Sequence, residues 1–185
     1  NGAYSAVFQF TTSNTLCSTW VSTDVPVAIA ISGTPTVTST ITIPGACVGT
    51  ITSLKVKNLN VTHTWVGDLR VTLTSPAGTI ISLFDRPGVP ASTLGCSNDN
   101  LALNFDDAAI FTAANLEATC NGTPPAISGT YRSINPLAGL NGEDVDGVWT
   151  LTVADLANGD GGALTSWELE ICYAPCVVCD VVVSA

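Results

Sequence analysis

Methionine is absent from this 185-residue chain, histidine occurs once, as His63, and only five residues are Lys or Arg. With no initiator methionine, the chain reads as a piece processed from a longer precursor. Fifteen acidic residues against five basic ones give a net charge of −10. That balance excludes a nucleic-acid binder, because holding phosphates needs clustered Lys and Arg. Charged residues are only 11% of the chain and apolar residues 46%, the reverse of a disordered acidic tail, so a full core is expected. Long hydrophobic runs are also missing. Val25 to Ile31, for one, has only seven residues and includes Pro26, whereas a membrane-spanning helix needs about 20 apolar residues. No basic segment followed by an apolar one marks a retained signal peptide.

Cysteine, by contrast, is plentiful: Cys17, Cys47, Cys96, Cys120, Cys172, Cys176 and Cys179. Spread through a Thr-, Ser- and Gly-rich acidic chain, they imply disulfides and export. A zinc site is a poor alternative, because Cys176 and Cys179 form a single CxxC with no second pair and His63 is remote in sequence. Seven is odd, so one thiol lacks a partner within the chain. Local proximity suggests Cys96 with Cys120 and Cys17 with Cys47, leaving Cys172, Cys176 and Cys179 open.

Alternation is the main structural signal. Leu54 and Val56 alternate with Lys55 and Lys57, Leu69, Val71 and Leu73 with Arg70 and Thr72, and Trp149, Leu151 and Val153 with Thr150 and Thr152. Trp167, Leu169 and Ile171 alternate with Glu168 and Glu170, and Val37, Ile41 and Ile43 make a weaker run. One dry face and one wet face per run describe strands of an antiparallel sandwich. Gly-, Asn- and Pro-rich turns separate the runs, as at Ser75 to Gly78 and Asn158 to Gly162. Helical periodicity is nearly absent, with at most a short turn between Asp107 and Ala118. The expected fold is all-β, an antiparallel β-sandwich of jelly-roll type. Residues 1–25 read as an N-terminal extension or an extra strand, 26–173 as the sandwich, and 174–185 as a tail or linker to a following segment.

Four blocks in order carry a resemblance: Val61 to Leu69 with Val71 to Thr79, Asn104 to Ala108, Asp146 to Leu151, and Gly162 to Leu169. Together they resemble the P domain of proprotein convertases, also called Homo B, the sandwich that follows the subtilisin-like catalytic domain. It is also found at the C-terminal side of many bacterial secreted proteases. The resemblance implies a galactose-binding-domain-like fold and a non-catalytic role: stabilising a protease and tuning its calcium and pH dependence. It further implies a secreted or cell-surface, bacterial origin and, as partner, the catalytic domain of the same precursor. The alternative is an adhesion module that binds a protein or a glycan at the cell surface, since sandwiches host many roles. Cys96, Cys120 and the cysteines from 172 to 179 fall outside the family pattern.

No catalytic constellation is expected. His63 is the one possible histidine base, and no Gly-x-Ser-x-Gly nucleophile turn accompanies it. Its position before a core strand suits a turn-fixing hydrogen bond. Asp106 and Asp107 are adjacent, so in an extended segment they point oppositely and cannot pair as a glycosidase dyad. The carboxylates suit a hard cation better. Nine of the eleven Asp lie between positions 68 and 160, many beside Gly or Asn. Calcium takes six to eight oxygens at about 2.3–2.6 Å, which short carboxylates on tight loops can supply. The candidate ligands are Asp106 or Asp107 with Asp99 or with Glu143, Asp144 and Asp146, and a second set of Asp155 and Asp160. Asp68, beside Gly67, is expected to anchor a turn through backbone N–H groups. Trp149 and Trp167 are in phase with the core, and Trp65 is the tryptophan expected to be exposed.

Overall fold

A computed structural model describes residues 14–45 and 47–176. Ten strands follow in chain order: β1 (Leu16–Val21), β2 (Val27–Ile29), β3 (Thr36–Ile43), β4 (Gly49–His63), β5 (Leu69–Thr74), β6 (Ile80–Asp85), β7 (Leu101–Phe105), β8 (Ile127–Tyr131), β9 (Gly147–Asp155) and β10 (Gly162–Pro175). A five-residue helix, α1 (Ala113–Glu117), falls inside the segment where a helical turn is expected, and its N-terminus is capped by the Thr112 hydroxyl, which accepts from the Asn115 N–H.

Two sheets make the sandwich. One has the order β1-β10-β4-β7-β8, with β2 pairing the N-terminal end of β10 beyond the stretch that β1 occupies, and the other has the order β3-β9-β5-β6. Pairing is antiparallel throughout except between β7 and β8, which run parallel. The connection between those two contains α1 and residues 118–126, and a parallel partner requires a crossover of this length.

The core lies where alternation puts it. Leu69, Val71, Leu73, Leu151, Leu169 and Ile171 are completely buried, and Val153 nearly so. Burying each such side chain is worth about 1.5–3 kcal/mol. Trp149 and Trp167 fill the space between the sheets, each with a partner for its indole N–H: the Val145 carbonyl at 3.0 Å and the Ser39 hydroxyl at 2.7 Å. The Ser39 hydroxyl in turn donates to Asp24 Oδ1 at 2.5 Å, and the other Asp24 oxygen accepts the Thr40 N–H at 2.7 Å. A buried indole donor is thereby connected through one hydroxyl to a carboxylate that also occupies a free N–H of the edge strand β3.

In β4 the alternation changes phase. Leu54 and Val56 face inward at even positions, then Leu59, Val61 and His63 at odd ones. The switch occurs at Asn58, which has φ of 50° and sits at an irregularity in the pairing with β7. An extra residue of this kind re-aims everything after it. It is why His63, and not Thr62, enters the core.

Three disulfides join Cys17 to Cys172, Cys47 to Cys176 and Cys96 to Cys120. The expected Cys96–Cys120 pair is present. The expected Cys17–Cys47 pair is not: β1 lies beside β10, with Cys17 directly across from Cys172, so its partner is set by strand register and not by nearness in sequence. β1 falls within residues 1–25, and Trp20 on it packs against Tyr173 of β10 with ring centroids 6.2 Å apart. Cys179 and most of the 174–185 segment lie outside the described residues.

Candidate functional site

At the end of β4 the chain passes through Thr64 and Trp65 into a single 3-10 turn, Val66–Asp68, and then enters β5. Gly67 allows this turn to lie against the 95–96 backbone, since a Cβ there would run into the Cys96 nitrogen. His63 sits beneath the turn with its ring fully buried. Nδ1 is 3.2 Å from the Trp65 N–H and 2.9 Å from the Trp65 carbonyl, while Nε2 is 3.3 Å from Asp155 Oδ2 on β9. The other Asp155 oxygen accepts the Ala157 N–H at 3.1 Å. His63 therefore fixes a turn, as its position implies, and bridges the two sheets as well. Among the described residues no hydroxyl or thiol hydrogen-bonds to the ring, so the geometry of a nucleophile and its base is missing.

Asp68 is nearly buried, at 5% exposure. Among the described residues its carboxylate accepts no backbone N–H, contrary to expectation. It faces the Arg86 guanidinium at 3.7 Å, and Arg86 also donates to the Gly67 carbonyl at 3.3 Å. Burial, and then the charge of Asp155, push the Asp68 carboxyl above its ordinary range, with Arg86 opposing. Trp65 is half-buried rather than exposed, because its indole N–H donates to the Leu94 carbonyl at 2.7 Å.

The structure gives most of the expected calcium ligands protein donors and brings Glu143, Asp144 and Asp146 to the edge of one cleft. Asp106 takes Lys55 at 3.1 Å and the Ala108 N–H at 2.8 Å. Burial works against ionisation there, but those two partners outweigh it and hold the carboxyl below its usual value. Asp107 points to a different element and accepts the Leu137 and Ala138 N–H groups at 3.0 and 2.7 Å, capping the 3-10 turn Leu137–Leu140. Glu143 accepts the Ser75 hydroxyl at 2.6 Å and the Thr79 hydroxyl at 2.5 Å, tying the β5–β6 turn to the loop before β9. Asp160 accepts the Thr64 hydroxyl at 2.8 Å, and Asp146 makes a long contact of 3.4 Å with the Val48 N–H. Asp144 is exposed beside its backbone bridge to Thr50, and Asp99 is half-buried with its carbonyl accepting the Ala126 N–H at 2.7 Å. Among the described residues no three His, Cys, Asp or Glu side chains converge in a way that could hold a metal ion. Glu143, Asp144 and Asp146 line an open cleft of about 430 Å³ with Pro76, Ala77 and Gly142.

Two groups escaped sequence reasoning. On the outer face of the six-stranded sheet, Glu170 accepts Lys57 at 3.1 Å and Lys55 at 3.5 Å, and Lys55 continues to Asp106. The alternation of Lys55 and Lys57 with Leu54 and Val56, and of Glu168 and Glu170 with Leu169 and Ile171, was the available signal, because it puts both pairs on solvent faces of strands that turn out to be neighbours. Asp24 is the other, and nothing in its local sequence points to Ser39 or Thr40.

The family described as Proprotein convertase P-domain matches residues 53–117 and 127–171. The chain is 29% identical over 133 residues to leupeptin-inactivating enzyme 1 of Streptomyces exfoliatus, an alignment that takes in 72% of this chain and 22% of that protein. Among solved structures, the serine protease of Aeromonas sobria superposes with a TM-score of 0.52 at 19% identity, over 89% of this chain and 28% of that one. The same protease in complex with its chaperone ORF2 gives a TM-score of 0.53 at 19% identity, over 88% and 28%. The chain therefore spans less than a third of each relative's length.

Proposed function

The chain belongs to the proprotein convertase P-domain family, whose members are accessory and not catalytic, and from that premise we propose that it stabilises the protease domain of its own precursor. The observation that carries this reading is the family match across both sheets, combined with a histidine whose ring is spent on Trp65 and Asp155. The protease relatives support a C-terminal accessory position, and three disulfides support an extracellular setting, where such bonds persist. Bacterial origin and serine-type chemistry of the precursor are part of the same proposal. The test is a hydrolysis assay on casein with the purified chain, and with the precursor from which it comes. The reading requires activity in the precursor alone; cleavage by the isolated chain would overturn it.

Calcium is the second part of the proposal, confined to the Glu143–Asp146 cleft. Glu143, Asp144 and Asp146 line one open cleft there, and carboxylate oxygens are the donors calcium prefers. Glu143 would exchange its two hydroxyl partners for the ion, which ties calcium to the position of the β5–β6 turn. Asp106, Asp107 and Asp155 already hold Lys55, two backbone amides and His63, so they would stay out of the coordination. Binding to the folded state alone stabilises it by mass action, so millimolar calcium should raise the Tm by several degrees and EDTA should reverse the rise. Asp144→Asn with Asp146→Asn should abolish that response. An unchanged melting curve would remove calcium from the account and leave the accessory role standing.

A further inference from the structure

A second cleft, of about 380 Å³, lies where the 88–97 loop meets the end of α1. Its walls are unusually low in side-chain bulk: Gly88, Ala91, Ser92, Gly95 and Ala118, closed on one side by the Cys96–Cys120 disulfide. The loop can double back this tightly because a Cβ at Gly88 would stand 2.6 Å from the Cys96 nitrogen and one at Gly95 2.7 Å from the Pro87 carbonyl. Two backbone bonds fix the geometry, from the Gly88 N–H to the Glu117 carbonyl at 2.7 Å and from the Cys96 N–H to the Pro87 carbonyl at 2.7 Å.

One ionisable side chain lines this space, Glu117, and it is half-buried. The neighbouring carboxylate, Asp85, has a bidentate partner in Arg70, with both contacts at 2.9 Å. None of the ion pairs among the described residues involves Glu117. Its carboxyl is pushed up by burial and by the charge of Asp85, against a bond from the Asp85 N–H, as befits an anion without a counter-charge. An open cleft with small walls and one carboxylate that makes no ion pair among the described residues is complementary to a cation on an aliphatic stem. The chain's net charge of −10 would draw such a partner in.

We propose that this cleft receives a lysine or arginine side chain from a partner protein, with Glu117 as its counter-ion and the Cys96–Cys120 disulfide as its wall. The site is independent of the calcium reading and of which protease domain the precursor carries.

The test is an NMR titration of the 15N-labelled chain with Nα-acetyl-arginine methylamide, Nα-acetyl-lysine methylamide and the uncharged Nα-acetyl-citrulline methylamide. Saturable shifts confined to Gly88, Ser92, Gly95 and Ala118 are expected with one or both cations and not with citrulline, and the tighter of the two names the preferred side chain. Glu117→Gln should weaken binding by about tenfold or more, equivalent to about 1.4 kcal/mol. Ser92→Phe, which fills the cleft from an exposed position, should block it while leaving the rest of the spectrum in place. Absence of saturable shifts, shifts spread over the whole acidic surface, equal binding of citrulline, or full binding by a folded Glu117→Gln chain would each overturn the proposal.

Discussion

Two sets of charged side chains cross-link strands in this domain, and they differ chiefly in their access to water. His63 and Asp155 join β4 of one sheet to β9 of the other at 3.3 Å, with both side chains fully buried. Lys57, Glu170, Lys55 and Asp106 form a ladder across β4, β10 and the residue that follows β7 at 3.1–3.5 Å, with side chains 25–41% exposed. The distances are alike, but the energetic consequences are not. A polar group in the interior that loses its partner has no water to replace it, whereas a lysine on the outer face does. The inner pair therefore determines whether the sandwich closes at that end, and the outer ladder only trims its stability.

The largest effect is expected from Asp155→Ala. It leaves a buried imidazole nitrogen and the Ala157 N–H without their acceptor and should cost about 3 kcal/mol in urea unfolding. A loss below about 1 kcal/mol would put the inner pair on the same footing as the outer ladder. Asp24 is the intermediate case: its carboxylate is exposed, yet it serves the buried Ser39–Trp167 chain. Asp24→Ala should cost about 1–2 kcal/mol and should perturb tryptophan fluorescence, a readout the outer ladder does not share. Smallest is Glu170→Gln, at less than about 1 kcal/mol, with an effect that shrinks further in 1 M salt.

Acid sharpens the same contrast. The bonds and charge of Lys57 and Lys55 hold the Glu170 carboxyl below its usual value, and Asp106 is lowered too. A depressed folded pKa contributes stability that is present above the unfolded pKa, near 4, and is lost as pH falls through the lower folded value. Asp68 has the opposite sign. Its raised folded pKa favours the fold below the unfolded value, and that contribution disappears as pH rises through the folded one. Asp68→Asn should therefore flatten the profile above the unfolded carboxylate value near 4, and Glu170→Gln the profile below it by a smaller amount because solvent screens it. A profile in which the two substitutions exchange sides would contradict this assignment.

How much of this could be read from the sequence depends on how local the cause was. The runs at 69–74, 149–153 and 167–171 declared their inward faces because alternation is a property of consecutive residues, and the core tryptophans followed from it. The phase change at Asn58 was not declared, since a left-handed residue inside a strand has no signature in an Asn alone. Disulfide pairing failed for Cys17 because register across β1 and β10 joins residues 155 apart in sequence. The carboxylates were legible as loop residues and illegible as to partner. Glu143 reaches Ser75, 68 residues away, and Asp107 reaches Leu137, 30 residues away, so composition could not show which hydroxyls and amides these carboxylates take. His63 was readable because its motif placed it at a strand end with no nucleophile near it.

The most direct test of the central claim is the rate of thermal inactivation of the precursor protease with and without this domain. If the domain works by holding its neighbour, its deletion should shorten the half-life several-fold while leaving kcat on a small peptide substrate near its original value before heating. An unchanged half-life would contradict the account, as would a kcat that falls with the deletion although the remaining protease stays folded.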